Sequence, residues 1–234
     1  MNGNTVVGCL SCPLVSLMAG STLRFPLPAA SRRLKELMVC NDVVLGSQSL
    51  GRRKVLDATN CRYVAAMDPG IDEKAIRADT PEDTCVAIAC GKADVLESRL
   101  KGMDVVLLCA DQVAVCEDEL REKPESAEEA RRFMMDYSGG EGVITWTAVV
   151  VVDCLNGRRE VGRHKAVTFD PIPEDVIDNI LSDPGSLVYR CAGSFCVDDV
   201  MGPFVKSIEG GSDSVMGLPL GILEELLKRV RPLP

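Results

Sequence analysis

Residues 105–115 read VVLLCADQVAV, an apolar run that is interrupted in its middle by Asp111 and Gln112. The two apolar halves predict a buried strand that carries a carboxylate halfway along its length. Burying an unpaired anion costs roughly several kcal/mol, so an ionised Asp111 requires a cation, a metal ion or a ring of hydrogen-bond donors. We therefore expect a fold built on a sheet and a functional site around Asp111.

The basic residues that we expect near this carboxylate lie beside Gly, Ser or Pro, at element ends where side chains can turn toward a shared cleft. They are Arg52, Arg53, Lys92 and Lys123. His164 is the only histidine of the chain, which disfavours Ser-His-Asp, Cys-His and multi-histidine zinc chemistry. Carboxylate, ammonium and guanidinium groups remain, and this set suits metal-assisted phosphate chemistry.

Length and composition predict one globular, soluble domain, since the chain has 234 residues and is 46% hydrophobic. The net charge of -9 argues against a protein that holds a nucleic-acid backbone, because that task requires a broad basic surface. No stretch reaches the ~18 uninterrupted apolar residues of a membrane span. The eleven scattered cysteines are typical of reduced thiols. We expect a cytoplasmic protein without nucleic-acid or membrane partners.

The first 37 residues are predicted to be an N-terminal extension, and residues 38–234 the folded domain. Nothing before Glu36 is acidic. The basic residues of the extension are Arg24, Arg32, Arg33 and Lys35. This composition is also found in organelle presequences, so organelle targeting by the extension stays open.

A strand, a turn and a helix are predicted in succession between Val43 and Leu56. The turn GSQS at residues 46–49 opens the helix with serines, and Arg52-Arg53 follow in its first turn. A helix start presents unpaired N–H groups that suit an anion, and hydroxyl and guanidinium groups add donors. The segment favours a phosphate site, although its spacing is not that of a Walker loop. A plain helix cap with solvated arginines explains the same residues equally well.

Further signals predict helices that alternate with strands. Helix starts are expected at Thr80-Pro81, at the capping box Ser126 to Glu129, at Pro173 and at Leu218. Two β-rich segments, 145–153 and 161–169, flank the turn signal Asn156-Gly157 and predict a long hairpin. The fold class is therefore α/β, with a mixed central sheet and flanking helices.

Seven short segments follow one another in a fixed order along the chain, and together they identify a protein family more specifically than any one of them does. They are Leu45–Arg53, Gly70–Glu73, Ala89–Ala93, Ala110–Val113, Glu122–Pro124, Cys191–Phe195 and Gly217–Leu220. In these segments the chain resembles the Maf family of nucleotide pyrophosphatases, first linked to septum formation. The resemblance covers residues 43–227. It implies an inosine-triphosphatase-like (Maf) fold, a homodimer, and hydrolysis of a nucleoside triphosphate to monophosphate and pyrophosphate with Mg²⁺, Mn²⁺ or Co²⁺, as a house-cleaning step.

The resemblance also implies roles for individual positions. The catalytic residues would be Asp111, Glu73 and Lys92, with Asp111 as acid-base and with Asp111 and Glu73 as metal ligands. The phosphate-binding residues would be Ser47, Ser49, Arg52, Arg53 and Lys123. The residues that tune the accepted base would be Gly51, Gln112 and Asp198.

Two branches of the family are possible models for the substrate. By motif spacing the chain is most similar to the branch that acts on 7-methyl-GTP, which it resembles in the extra residue between Ser49 and Arg52 and in the segments Asp111–Val113 and Cys191–Phe195. That branch usually has a proline and then an aromatic where this chain has Leu50-Gly51, so the ring that would stack on a charged purine is missing. The other branch prefers dTTP and UTP, so pyrimidine substrates remain open. The alternative function is a nucleotide-binding regulator of cell division with little catalytic activity.

Overall fold

One six-stranded mixed sheet organises the chain in this computed structural model, which describes residues 25–139, 142–166, 168–169, 171–197 and 201–233. The strands are β1 Val43–Gly46, β2 Ala65–Ala66, β3 Val106–Cys116, β4 Glu119–Arg121, β5 Ile144–Asp153, β6 Arg158–Ala166, β7 Thr168–Phe169 and β8 Val205–Ser207. The α-helices are α1 Arg32–Cys40, α2 Leu50–Ala58, α3 Pro81–Leu100, α4 Ala127–Gly139, α5 Glu174–Leu181, α6 Ser212–Val215 and α7 Leu220–Val230. Short 3-10 turns lie at Glu73–Ala75, Leu187–Tyr189, Ala192–Ser194 and Gly202–Phe204. Strands β7 and β8 form a separate pair. The predicted α/β class with a mixed sheet is confirmed.

Strand β3 is the centre of the sheet, and one of its edges changes partner halfway along. On that edge β1 pairs in parallel as far as Cys109, and β4 pairs antiparallel from Ala114 onward. Strand β5 pairs antiparallel along the whole other edge. In the described part of the chain, residues 110–113 therefore have no strand on one side. Ligand clefts of α/β sheets form where neighbouring strands end in this way.

Alternation along β3 sends its side chains into two separate cores. Val106 and Leu108 belong to a larger core with α1, α4, α5 and α7, whereas Leu107 and Cys109 belong to a smaller core with α3. Since successive strand residues point to opposite faces, Asp111 faces α3 and Gln112 faces the other side of the sheet. The strand thus presents its two polar residues to different elements.

Local sequence signals account for the helix starts. Thr80 caps α3 by accepting a hydrogen bond from the backbone of Asp83, and Pro81 is the first helical residue. Ser126 accepts from the backbone N–H of Glu129 at the start of α4. The predicted hairpin forms through residues 154–157, between β5 and β6. These predictions are confirmed.

The start of the described chain packs on the core. In α1 the side chains of Leu34, Leu37 and Met38 are buried, and Ser31 bonds to Glu224 of α7 at 2.5 Å. The predicted boundary between residues 37 and 38 falls inside α1. Residues 1–24 of the predicted extension lie outside the described residues.

The cysteines of the described chain form no disulfide bond, and most are buried. Burial raises the pKa of the Cys85 and Cys109 thiols to about 12, so both stay protonated and act as small core residues. Within the described ranges, no helix has both the length and the apolar character of a membrane span.

Candidate active site

The sequence predicts a cation beside Asp111, and in the structure this cation is the ammonium group of Lys92. Lys92 lies on the buried stripe of α3 between Ala89 and Leu96, because helix residues three or four apart share a face. Its Nζ donates to Oδ1 of Asp111 at 2.7 Å and lies 2.9 Å from Oε1 of Glu73. Lys92 and Asp111 are only 5% and 4% exposed. One buried ammonium group therefore holds two carboxylates from different segments.

The two carboxylates differ in proton affinity because their surroundings differ. Burial raises the pKa of Asp111, although the charges of Lys92 and Arg52 oppose the effect. Burial also acts to raise the pKa of Glu73, but Lys92, Lys123 and Arg52 outweigh it, so the net pKa is lowered. A carboxylate that binds a proton more readily stands beside one that stays ionised, and such pairs divide acid-base work at active sites.

A second cluster lies at the carboxyl end of β1. Arg52 is 7% exposed, its Nε donates to the carbonyl of Gly217 at 3.0 Å and its NH1 donates to Oγ of Ser47 at 2.9 Å. The Ser47 hydroxyl also accepts from the backbone N–H of Ser49 at 3.1 Å. Ser49 caps α2, as the sequence predicts. The guanidinium group of Arg52 thus links the start of α2 to the loop before α7.

These clusters line one cleft of about 580 Å³. The sequence-predicted residues in its wall are Ser47, Ser49, Gly51, Arg52, Glu73, Lys92, Asp111, Gln112 and Lys123. A smaller space of about 270 Å³ adjoins it and shares Glu73, Asp111, Gln112 and Lys123. The expectation that distant basic and acidic segments converge on Asp111 is confirmed.

Two predicted residues are not in the described cleft wall. The NH2 group of Arg53 donates to Oε1 of Gln48 at 2.6 Å, and Arg53 does not line the cleft. Asp198 lies outside the described residues. The proposed roles of both stay predictions.

Three charged residues of the cleft were missed by the sequence reasoning: Lys54, Asp68 and Arg190. Lys54 lies one helical turn after Gly51, and this spacing was a usable signal. Arg190 directly precedes the segment Cys191–Phe195. The described wall thus carries five basic side chains (Arg52, Lys54, Lys92, Lys123, Arg190) against three acidic ones (Asp68, Glu73, Asp111). The cleft is basic in a chain whose net charge is -9, so it favours a polyanionic ligand.

At Gly51 the backbone of α2 lies so close to another segment that a side chain would collide with it. It is the second residue of α2, and a Cβ atom built there would lie 2.7 Å from the carbonyl oxygen of Met216. Met216 also lines the cleft. The glycine thus lets the start of α2 pack directly on the turn before α7.

Gly51→Ala is expected to lower the free energy of unfolding by about 1–3 kcal/mol, because the added methyl group forces backbone to move. Helix propensity alone would change stability in the opposite direction by about 1 kcal/mol. Gly221→Ala is the matched control, since Gly221 is the second residue of α7. Apart from its chain neighbours and the backbone of its own helix, no described atom lies within 4 Å of the position that a Cβ atom would take there. Urea unfolding measures both variants. Equal stability changes would contradict the close contact.

Fold and site together define an α/β protein with a basic cleft at a strand end and a buried carboxylate–lysine pair. The chain belongs to the family of Maf-like proteins, whose family model matches residues 42–230. The resemblance read from the seven sequence segments is thereby confirmed.

Proteins of this family with known names cover most of the chain. A 7-methyl-GTP pyrophosphatase of Dictyostelium discoideum is 32% identical over 201 residues, which are 82% of this chain and 99% of the relative. A dTTP/UTP pyrophosphatase of Chlamydia trachomatis serovar D is 31% identical over 186 residues, which are 79% of this chain and 92% of the relative. A nucleoside triphosphate pyrophosphatase of Salinispora tropica is 30% identical over 189 residues, which are 79% of this chain and 82% of the relative.

Proposed function

We propose that this protein hydrolyses a nucleoside triphosphate to the monophosphate and pyrophosphate. The observation that carries the proposal is the buried Asp111–Lys92 pair, joined by the partly exposed Glu73, inside a cleft whose basic residues outnumber its acidic ones. A nucleoside triphosphate carries about four negative charges, and attack of water on phosphorus requires that they be neutralised. The names of the relatives support the same reaction.

In the proposed reaction Asp111 accepts the proton of the attacking water. Its raised pKa favours this role, because a general base works best when its pKa approaches the working pH. Lys92 keeps the carboxylate in place with a bond of 2.7 Å. Arg52, Ser47 and Lys123 offer donors to the phosphate oxygens and to the negative charge that grows on the leaving pyrophosphate.

A divalent metal fits the two carboxylates that Lys92 holds together. Mg²⁺ typically binds one or two protein carboxylates and completes its coordination with water and substrate phosphates. Asp111 and Glu73 would hold the ion. The described part of the chain has no group of three or more acidic, histidine or cysteine residues placed to hold a metal, so water and substrate phosphates would supply the other ligands. When bound, the ion supplies charge neutralisation and polarises phosphate oxygen.

The test is a panel of standard and modified triphosphates, assayed for pyrophosphate release with Mg²⁺, Mn²⁺ or Co²⁺. We expect turnover of at least one triphosphate, and a fall to the background rate after chelation by EDTA. Full activity in EDTA would refute the metal requirement. Nucleotide binding without any pyrophosphate release would favour the alternative, a regulator of cell division.

The panel also separates the two candidate substrate classes, 7-methyl-GTP and the pyrimidine pair dTTP and UTP. A 7-methyl-GTP pyrophosphatase and a dTTP/UTP pyrophosphatase match this chain at similar identity, 32% and 31%. The homodimer and the link to septum formation stay predictions from the family resemblance, and the cytoplasmic location stays a prediction from the composition.

A further inference from the structure

Two cysteines lie side by side where the chain turns through residues 191–196. The Cys196 thiol donates to Sγ of Cys191 at 2.8 Å. The chain folds back between them because Gly193 and Ser194 are consecutive residues in the left-handed region, with φ of 63° and 55°. The backbone N–H of Ser194 donates to the carbonyl of Cys191 at 3.0 Å and closes the turn. Two sulfur atoms from positions five residues apart therefore face each other.

The two thiols differ in their access to the cleft. Cys191 is half-buried and lines the cleft, whereas Cys196 is buried and belongs to the larger core. The described cleft wall carries five basic side chains, and one of them is the adjoining Arg190. Reactive cysteines typically lie in such electropositive and partly exposed surroundings, because the thiolate is the form that attacks. A small reagent in the cleft therefore reaches Cys191 first.

Two cysteines of the smaller core show the opposite environment. Burial raises the pKa of the Cys85 and Cys109 thiols to about 12, and neither residue lines the described cleft wall. Such thiols stay protonated near neutral pH and react slowly with oxidants. The pair at the cleft wall therefore differs from these core cysteines in both access and charge.

We propose that Cys191 and Cys196 form a reversible disulfide with hydrogen peroxide as the oxidant, and that this disulfide weakens the binding of a polyanion in the cleft. The Cys191 thiolate attacks one peroxide oxygen, the O–O bond breaks, and a sulfenic acid and hydroxide form. The hydroxide takes up the proton that the thiol released and becomes water. The Cys196 sulfur then attacks the sulfenic sulfur, its proton leaves with the hydroxyl group as a second water, and the S–S bond forms. Two electrons pass from the two thiols to the peroxide.

The turn that carries Cys191 is attached to a phosphate-binding segment. The backbone N–H of Gly193 donates to the carbonyl of Glu122 at 2.8 Å, and the carbonyl of Gly193 accepts from the Tyr137 hydroxyl at 2.7 Å. Glu122 directly precedes Lys123, which lines the cleft together with Cys191. Closing the disulfide draws Cys191 toward the core and shifts the attachment of Lys123. The thiol chemistry goes beyond the proposed function, and only this coupling to the cleft rests on it.

The first test is peptide mass mapping of the wild type after treatment with hydrogen peroxide. Trypsin cleaves after Arg190 and Lys206, so one peptide, residues 191–206, carries both cysteines and no others. We expect this peptide to lose two hydrogen atoms and to resist alkylation, and dithiothreitol should reverse both changes. Cys85 and Cys109 are the internal controls, since peroxide should leave them unmodified in the folded protein.

Cys196→Ser separates the two steps. Without the second thiol, oxidation should stop at the sulfenic acid of Cys191, which dimedone traps. Equal alkylation of the wild-type peptide with and without peroxide would overturn the proposal, as would dimedone trapping at Cys196 instead of Cys191 in the wild type. The wild-type peptide decides the question even where substitution of the buried sulfur impairs folding.

Calorimetric titration with inorganic pyrophosphate measures the coupling to the cleft. The Kd of the oxidised wild type should be about tenfold higher than that of the reduced protein, the effect of one lost polar contact, and dithiothreitol should restore it. An unchanged Kd in protein whose peptide carries the disulfide would overturn the coupling. An absence of pyrophosphate binding and of triphosphate turnover in the reduced protein would count against the proposed function, while the peptide mass would still decide the thiol chemistry.

Discussion

Asp111→Asn is expected to lower kcat for pyrophosphate release by about 100-fold or more, because general-base catalysis contributes at least that factor. The amide matches the carboxylate in size and keeps an oxygen that accepts the Lys92 hydrogen bond of 2.7 Å. It cannot take a proton from water. Steady-state assays under saturating nucleotide, together with the KM of the variant, separate lost chemistry from lost binding.

A second buried carboxylate provides the control for this substitution. Asp153 lies at the end of β5, is 2% exposed and accepts from Arg231 at 2.6 Å. It does not line the cleft. Asp153→Asn should therefore weaken the fold and leave kcat close to the wild-type value. Turnover of Asp111→Asn near the wild-type rate would refute the assignment of Asp111.

The strand and the helix caps could be predicted from the sequence because their causes are local. The apolar halves around Asp111 specify a buried strand, and Thr80-Pro81 specify the start of α3 through side-chain and ring geometry within one turn. The need for a cation beside Asp111 also follows from local burial. These arguments require no knowledge of which segments meet.

The identity of the partner required tertiary information. The sequence offered Arg52, Arg53, Lys92 and Lys123 as cations for Asp111 and did not decide among them, whereas the structure places Lys92 on the buried stripe of α3. The helix is turned so that the ammonium group reaches Asp111. Lysine side chains are usually exposed, but Lys92 can be buried because its charge is paired with that of Asp111.

The walls of the cleft could not be predicted for the same reason. The turn at residues 212–217 approaches Gly51 and Gln112 from more than a hundred positions away, and no periodic pattern encodes such contacts. The predicted role of Arg53 shows the same dependence on tertiary structure. Arg53 follows Arg52 in the sequence, but neighbouring helix residues point about 100° apart, and of the two only Arg52 lines the described cleft wall.

Lys92→Met is expected to cause the largest loss of stability, about 3–5 kcal/mol at neutral pH, because it leaves a buried carboxylate without its closest cation. The methionine keeps the length of the side chain. Lys74→Met is the control, since Lys74 pairs with Glu125 on the exposed surface and should leave the free energy of unfolding unchanged. Urea unfolding at several pH values measures both variants.

The loss should depend on pH with a defined sign. Burial already raises the pKa of Asp111 above its usual 3.8, and removal of Lys92 raises it further. A raised pKa means that the folded state binds the proton more tightly than the unfolded chain does. The destabilisation is therefore complete above the folded-state pKa and shrinks as the pH falls through that value toward 3.8.

The double variant Lys92→Met with Asp111→Asn completes the argument. Removing both charges eliminates the buried carboxylate that Lys92→Met leaves without its closest cation, so the double variant should regain most of the stability that Lys92→Met loses. Its stability should also lose the part of the pH dependence that Asp111 contributes to the single variant, because that titrating group is gone. If Lys92→Met were equally destabilised at every pH and the second substitution restored nothing, the loss would come from packing rather than from charge, and the pair would have no electrostatic role in the site.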